Sequence, residues 1–198
     1  MKSPITSCRR QFLKTSLIGG LGAIAAGPLL GRSAVGRKPA PDTSSRVALT
    51  SGDDRADNTF RGLAEFGPEI AQAIGDRRVV IKPNNVSIDM QLAATHADCL
   101  EGTLEFLKSI GKLSNAVIAE SAANGPTMEA FSNFGYIRLA EKYGVKLVDL
   151  DGQETETVHV FDQTDFHPHA VRMSRLLLDP KSFLISAARM KTHDRVVA

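Results

Sequence analysis

Apolar positions in the body of the chain follow two alternating patterns. Short runs rich in Val, Ile and Leu stand at 46–50, 78–82, 116–119, 145–149 and 183–187, each bounded by turn residues, and read as strands. Between them, apolar residues recur near the helical period. Phe60, Leu63, Phe66, Ile70 and Ile74 mark a helix over 59–74 with Asn58 as its cap and a break at Gly67-Pro68. Leu100, Leu104, Leu107 and Ile110 form one face of a helix that Thr95 caps and Gly111 ends, with Cys99 placed on its apolar side. Helical pieces at 127–134 and 137–143 are divided by Gly135 and stopped by Gly144. A looser stretch, 152–178, holds short strands at 157–161 and 171–177.

Continuous apolar strands separated by amphipathic helices predict a parallel sheet buried on both faces. The fold class expected is α/β: an open, mainly parallel sheet with helices on both faces and a small antiparallel excursion. A strand as apolar as 183–187 is expected inside that sheet with neighbours on both sides. The chain ends soon after it, so the C-terminus reads as truncated, with apolar surface left uncovered. No repeat is visible, and neither a Gly-x-Gly-x-x-Gly turn nor a Walker-type loop follows a strand, so a standard nucleotide fold is not supported.

Chemistry gathers at the strand exits. In open α/β sheets ligands bind beyond the carboxyl ends of the strands. One strand exits into Lys82-Pro83-Asn84-Asn85, the next into Glu120-Ser121, the third into Asp149 and Asp151, and the last into Arg189-Met190-Lys191-Thr192-His193-Asp194. Parallel strands put these exits on one edge. Lys82 ends a Val-Val-Ile run, which half-buries its stem; kept there for function rather than packing, it should cost little stability when removed. Lys191 and His193 stand two apart and share a face if extended. Polar loop residues at every exit are also what solvent alone would select.

His167-Pro168-His169 forms a second constellation. Pro168 holds His167 out of the helical region, and two histidines two apart then point the same way, as a pair of metal ligands would. A solvated loop is the bland alternative, because no third ligand is fixed by spacing. His96, after Thr95, either faces the strand-exit edge or is an exposed first-turn residue. His159, in an alternating strand, reads as structural.

Charge changes the picture mainly at the N-terminus. The chain has 198 residues, 42% of them apolar and 23% charged, the balance of an ordinary globular protein. A formal net charge of +2 gives no reason to invoke nucleic acid. Residues 1–36 carry Lys2, Arg9, Arg10, Lys14 and Arg32 and no acid, so the remainder is mildly acidic. Ser7-Cys8-Arg9-Arg10-Gln11-Phe12-Leu13-Lys14 precedes an apolar stretch over 15–30, and this segment resembles a twin-arginine export signal. The apolar stretch is glycine-rich and too short for a stable membrane span. Ala34-Val35-Gly36 is a candidate cleavage site, and 37–45 reads as a linker, leaving 46–198 as the α/β domain. The resemblance implies passage through the twin-arginine translocase into a periplasmic or other extracytoplasmic space, a route that carries folded proteins and favours a cofactor such as a metal ion. The two cysteines are Cys8 and Cys99, so once the signal is removed no internal disulfide is available, and this stretch alone ligates no iron–sulfur cluster.

Val80-Ile81-Lys82-Pro83-Asn84-Asn85, Thr95-His96, Gly135-Tyr136, the run from Tyr143 to Asp151, and Ala188-Arg189-Met190-Lys191-Thr192-His193 occur in that order. Together they resemble the family known as domain of unknown function 362, from about Val79 to the chain end. Lys-Pro-Asn and Lys-Thr-His are its most specific elements. The resemblance implies bacterial or archaeal relatives, some with appended ferredoxin-type domains, and members that continue beyond the Lys-Thr-His element. It implies no particular reaction.

Two function classes follow. One is an exported enzyme or redox-associated protein acting on an anionic substrate at the strand-exit edge. There Lys82 and Lys191 hold the anion and Asn84 and Asn85 orient it. His193 serves as acid/base, being the side chain that titrates nearest neutral pH, and Glu120 orients a histidine or a metal. The other is a non-catalytic binding protein that uses the same groups for an anionic ligand or metal.

Overall fold

The structure is a computed structural model and describes residues 45–191. The twin-arginine segment, the linker up to residue 44, and Thr192 and His193 lie outside the described residues.

The first helices are α1 (Arg55–Ala64) and α2 (Gly67–Ile74). Asp54, not Asn58, caps α1: its carboxylate accepts from the Asp57 amide at 3.0 Å. Asn58 lies inside the helix and donates to the Gly52 carbonyl at 2.8 Å. The break at Gly67-Pro68 is present, with Pro68 in the first turn of α2, where its missing N–H costs nothing. The strand expected at 46–50 does not form: the segment joins no ladder among the described residues. Its contacts are made by side chains instead. Arg46 reaches Glu69 at 2.7 Å and lies over the Phe66 ring, and Leu49 is 95% exposed.

The sheet strands are β1 (Arg78–Pro83), β2 (Ala116–Glu120), β3 (Lys146–Asp149) and β6 (Ser182–Ala187), in the order β3-β2-β1-β6, all parallel. Helix α3 (Ala97–Ser109) connects β1 to β2; α4 (Thr127–Asn133) and α5 (Tyr136–Tyr143) connect β2 to β3. Then comes the excursion, an antiparallel hairpin of β4 (Thr155–Phe161) and β5 (Pro168–Ser174), followed by the single turn α6 (Arg175–Leu178). The α/β class, with its mainly parallel sheet, helices and small antiparallel pair, is as the sequence pattern predicted. Residues 175–177, expected to continue β5, instead turn into α6. Leu176 and Leu177 pack against the sheet from that turn.

Period-2 alternation divides the sheet into two faces. Val79, Ile81 and Ile118 join Leu100, Leu104 and Leu107 of α3 and Phe131 and Tyr136 in the main core. Val80 and Ala119 face the other way, onto Leu150 and the leucines of α6. A fully buried Leu such as Leu104 contributes roughly 1.5–3 kcal/mol by leaving water, so α3 is anchored mainly by its apolar face. The second face is covered more thinly, and Leu184 is 49% exposed. Strand β6 lies at the edge rather than inside: among the described residues it pairs with β1 alone, from Arg78↔Ser182 to Pro83↔Ala187. Apolar sequence reported burial on the helix side, through Phe183 and Ile185, and not the presence of a second neighbour. No described helix is long and apolar enough to cross a membrane.

Candidate functional site

Parallel registry brings the strand ends together. Ile81 pairs with Ile118 and Glu120 with Asp149, so β1, β2 and β3 leave the sheet side by side at one edge. There the Lys82 ammonium lies 2.6 Å from Glu120 Oε1. The Glu120 side chain is only 3% exposed and that of Lys82 34%. Glu120 Oε1 also accepts from the Ser121 amide at 2.8 Å. Its second oxygen is buried and has no hydrogen-bond partner among the described residues. A carboxylate this buried needs its cation, because an unpaired buried charge is heavily penalised. Beside it the Ser121 hydroxyl donates to Asp151 Oδ1 at 2.7 Å, and the Asp151 amide donates to Asp149 Oδ1 at 3.0 Å.

The hairpin closes this edge into a cleft of about 310 Å³, lined by Lys82, Glu120, Ser121, Asp151, Arg172 and Ser174 among others. The ladder pairs Thr155 with Ser174 and Thr157 with Arg172, so these four share one hairpin face. The base of the hairpin is anchored. Ser174 is buried, the Arg175 amide donates to the Glu154 carbonyl at 2.8 Å, and Arg175 pairs with Glu154 at 3.0 Å. The Ser174 hydroxyl is buried without a partner, and the exposed Arg172 side chain has neither hydrogen bond nor ion pair among the described residues. Sequence reasoning missed Arg172 and Ser174. The only signal for them was the two-residue alternation in 155–174, which does not say where the hairpin folds.

The other expected residues divide. The Asn84 amide donates to Thr95 Oγ1 at 3.0 Å, and that hydroxyl donates to the Ala187 carbonyl at 2.6 Å, tying the exits of β1 and β6 together. Because Thr95 is spent on this bridge, His96 and not Thr95 caps α3, accepting from the Asp98 amide through Nδ1 at 3.2 Å. Asn85 is buried beneath the edge. Tyr136 Oη donates to the Thr95 carbonyl at 2.5 Å and lies 3.1 Å from Asn85 Oδ1. Burial, and then the nearby Glu120 charge, push the Tyr136 phenol well above the ordinary tyrosine range. Neither asparagine is among the residues lining the cleft.

Lys191 follows β6 at the same edge, half-buried and outside the cleft lining; His193 lies outside the described residues. His167 and His169 are exposed on the hairpin, and His167 Nδ1 is 3.0 Å from Asp165 Oδ2. No group of three His, Cys, Asp or Glu that could hold a metal occurs among the described residues. His159 is exposed opposite Ala170. Cys99 is half-buried and, with His96, Arg55 and Arg189, lines a separate hollow of about 270 Å³.

No curated protein and no solved structure matches the chain. A family model does match residues 79–197, more than half of the sequence and the whole span from β1 past the carboxyl-edge cleft, and the chain belongs to that family, described as Domain of unknown function (DUF362).

Proposed function

We propose that the carboxyl-edge cleft binds a small anionic substrate and that the Lys82–Glu120 pair is its proton-transfer couple, so that the protein works as an enzyme outside the cytoplasm. The observation that carries this reading is the 2.6 Å contact between Lys82 and the buried Glu120 at the wall of an open cleft. Glu120 is held as an acceptor by the lysine and by the Ser121 amide. A base fixed by two donors is pre-positioned, and Lys82 can return the proton from within hydrogen-bond distance. Lys191 and His193, after β6, are further candidates at this edge, His193 as acid/base and Lys191 as an anion contact. The export signal read in Arg9-Arg10 supplies the location, and a metal at His167 and His169 belongs to the same proposal.

The test starts with full-length protein from the export compartment. Small anions are titrated against it while resonance shifts and the melting temperature are followed, and its metal content is analysed. Carboxylates or phosphate should raise the melting temperature and shift resonances of β1, β2 and the hairpin. If no anion does so, the cleft is not an anion site. Glu120→Gln should retain anion binding and lose turnover of any substrate the screen identifies.

A further inference from the structure

We infer that Arg172, on the hairpin, is the residue that takes the ligand's anionic group, and that this group is a single carboxylate rather than a phosphate. The inference rests on the cleft being the ligand site. Within the cleft the charges are already allotted. The Lys82 ammonium is committed to Glu120 at 2.6 Å, and Asp151 is engaged by the Ser121 hydroxyl at 2.7 Å. Arg172, exposed at the cleft, is alone among the charged lining residues in having no side-chain hydrogen bond or ion pair among the described residues. An arginine fork without a partner, facing a cleft, suits a planar two-oxygen anion, which it grips through two parallel N–H bonds.

Charge then selects between anions. Lys82 and Arg172 balance Glu120 and Asp151, so the cleft lining is formally neutral. A carboxylate adds one negative charge, whereas a phosphate dianion adds two beside a carboxylate that is 3% exposed. Repulsion from Glu120 grows with that second charge, and low local dielectric enlarges it. The hairpin also brings the Ser174 hydroxyl, which is buried and unpartnered, two residues along the same face as Arg172. The cleft, at about 310 Å³, is near the small end for ligand pockets, which favours a compact molecule.

The hairpin is thus the specificity element and the sheet edge the chemical one. This reverses the part expected of Lys82, which becomes the partner of the base and not the anchor of the anion. Position supports it, since the Arg175 amide bond to the Glu154 carbonyl, at 2.8 Å, ties the hairpin base close to Arg172.

The experiment titrates the full-length protein with glycolate, the smallest carboxylate that also carries a hydroxyl, and with inorganic phosphate, following resonance shifts. Four proteins are compared with wild type: Arg172→Ala, Arg172→Lys, Lys82→Met with Glu120→Gln, and Lys146→Ala as a surface-charge control. Glycolate should bind wild type and Lys146→Ala alike. It should bind Arg172→Ala about tenfold or more weakly and Arg172→Lys in between, the loss expected for a charge-assisted contact. The double variant, which removes both charges together, should bind within a few-fold of wild type. If Arg172→Ala binds like wild type, Arg172 is not the anchor; if the double variant alone loses binding, the anion sits on Lys82 and the cleft reading survives without this inference. Phosphate binding tighter than glycolate overturns the choice of carboxylate. If neither anion binds wild type, the cleft reading itself falls.

Discussion

Lys82 Nζ and Glu120 Oε1 stand 2.6 Å apart although 38 positions separate them in sequence. Glu120 ends β2 and Lys82 stands one residue before the end of β1, and the two strands run parallel with Val79 opposite Ala116. The proton transfer proposed for the edge depends on this pair, and its energetics are asymmetric. Removing the lysine leaves a carboxylate that is 3% exposed without its cation.

Lys82→Ala should therefore be more damaging than a residue kept only for function would be. Breaking a fully buried pair costs ~3–5 kcal/mol, an exposed one under ~1 kcal/mol, and Lys82 is partly exposed, so about 2 kcal/mol is expected. Lys82→Met with Glu120→Gln should recover most of it. Urea midpoints of the two variants measure the difference. A loss below about 0.5 kcal/mol for Lys82→Ala would mean that Glu120 is not held by its lysine.

Gly102→Ala should be among the costliest single-methyl changes in the protein. A Cβ at Gly102 would stand 2.2 Å from the Ala56 carbonyl and 2.9 Å from Thr59 Cβ, so α1 and α3 could not keep their spacing. Overpacking of this kind costs about 1–3 kcal/mol or more, since backbone must move. Gly111→Ala, where the new atom meets nothing within 4 Å but φ is +70°, pays only for the left-handed backbone. Thermal denaturation should rank Gly102→Ala as the less stable.

The two tyrosines should make the fold lose stability at alkaline pH. Burial, assisted by the hydrogen bond to Glu105, pushes Tyr143 up to about 12, and Tyr136 is raised further by burial and the Glu120 charge. Below the ordinary value near 10 both phenols are protonated folded or unfolded, and their contribution is fully present. Above it the unfolded chain releases the protons first, so stability falls until the folded values are passed. The chain has two tyrosines and no tryptophan, so absorbance at 295 nm follows these phenols directly. Neither should titrate near 10 before unfolding, and Tyr143→Phe should flatten the alkaline decline. A midpoint near 10 in the folded protein would contradict the buried hydrogen-bonded geometry.

Arg9→Lys with Arg10→Lys should leave the precursor inside the cell. The paired guanidinium groups are the part of the signal on which the twin-arginine reading stands. Cell fractionation of the double variant checks it, and normal export would remove the location proposed for this protein.

Local pattern by itself determined most of the scaffold. The Val-Val-Ile run before Lys82, the leucine face of 97–109 and the stops at Gly111 and Gly144 need only their own neighbours to become strand, helix and cap. A parallel sheet then follows from strand–helix alternation, and with it the shared edge that holds Lys82, Glu120 and Asp151. What the tertiary structure alone decided are the outcomes that depend on competition between distant groups. Thr95 was legible as a cap, yet its hydroxyl is drawn to Asn84 and Ala187, and His96 caps instead. Strand β6 was legible as buried, yet burial on the helix side does not require a second neighbour. Arg172 and Ser174 alternate along a hairpin that carries no mark of its destination. They reach the cleft because Leu176 and Leu177, just beyond the hairpin, bury against the second face of the sheet and swing it over the strand ends. Apolar burial is non-directional, so a sequence announces that such residues will be covered without announcing by what.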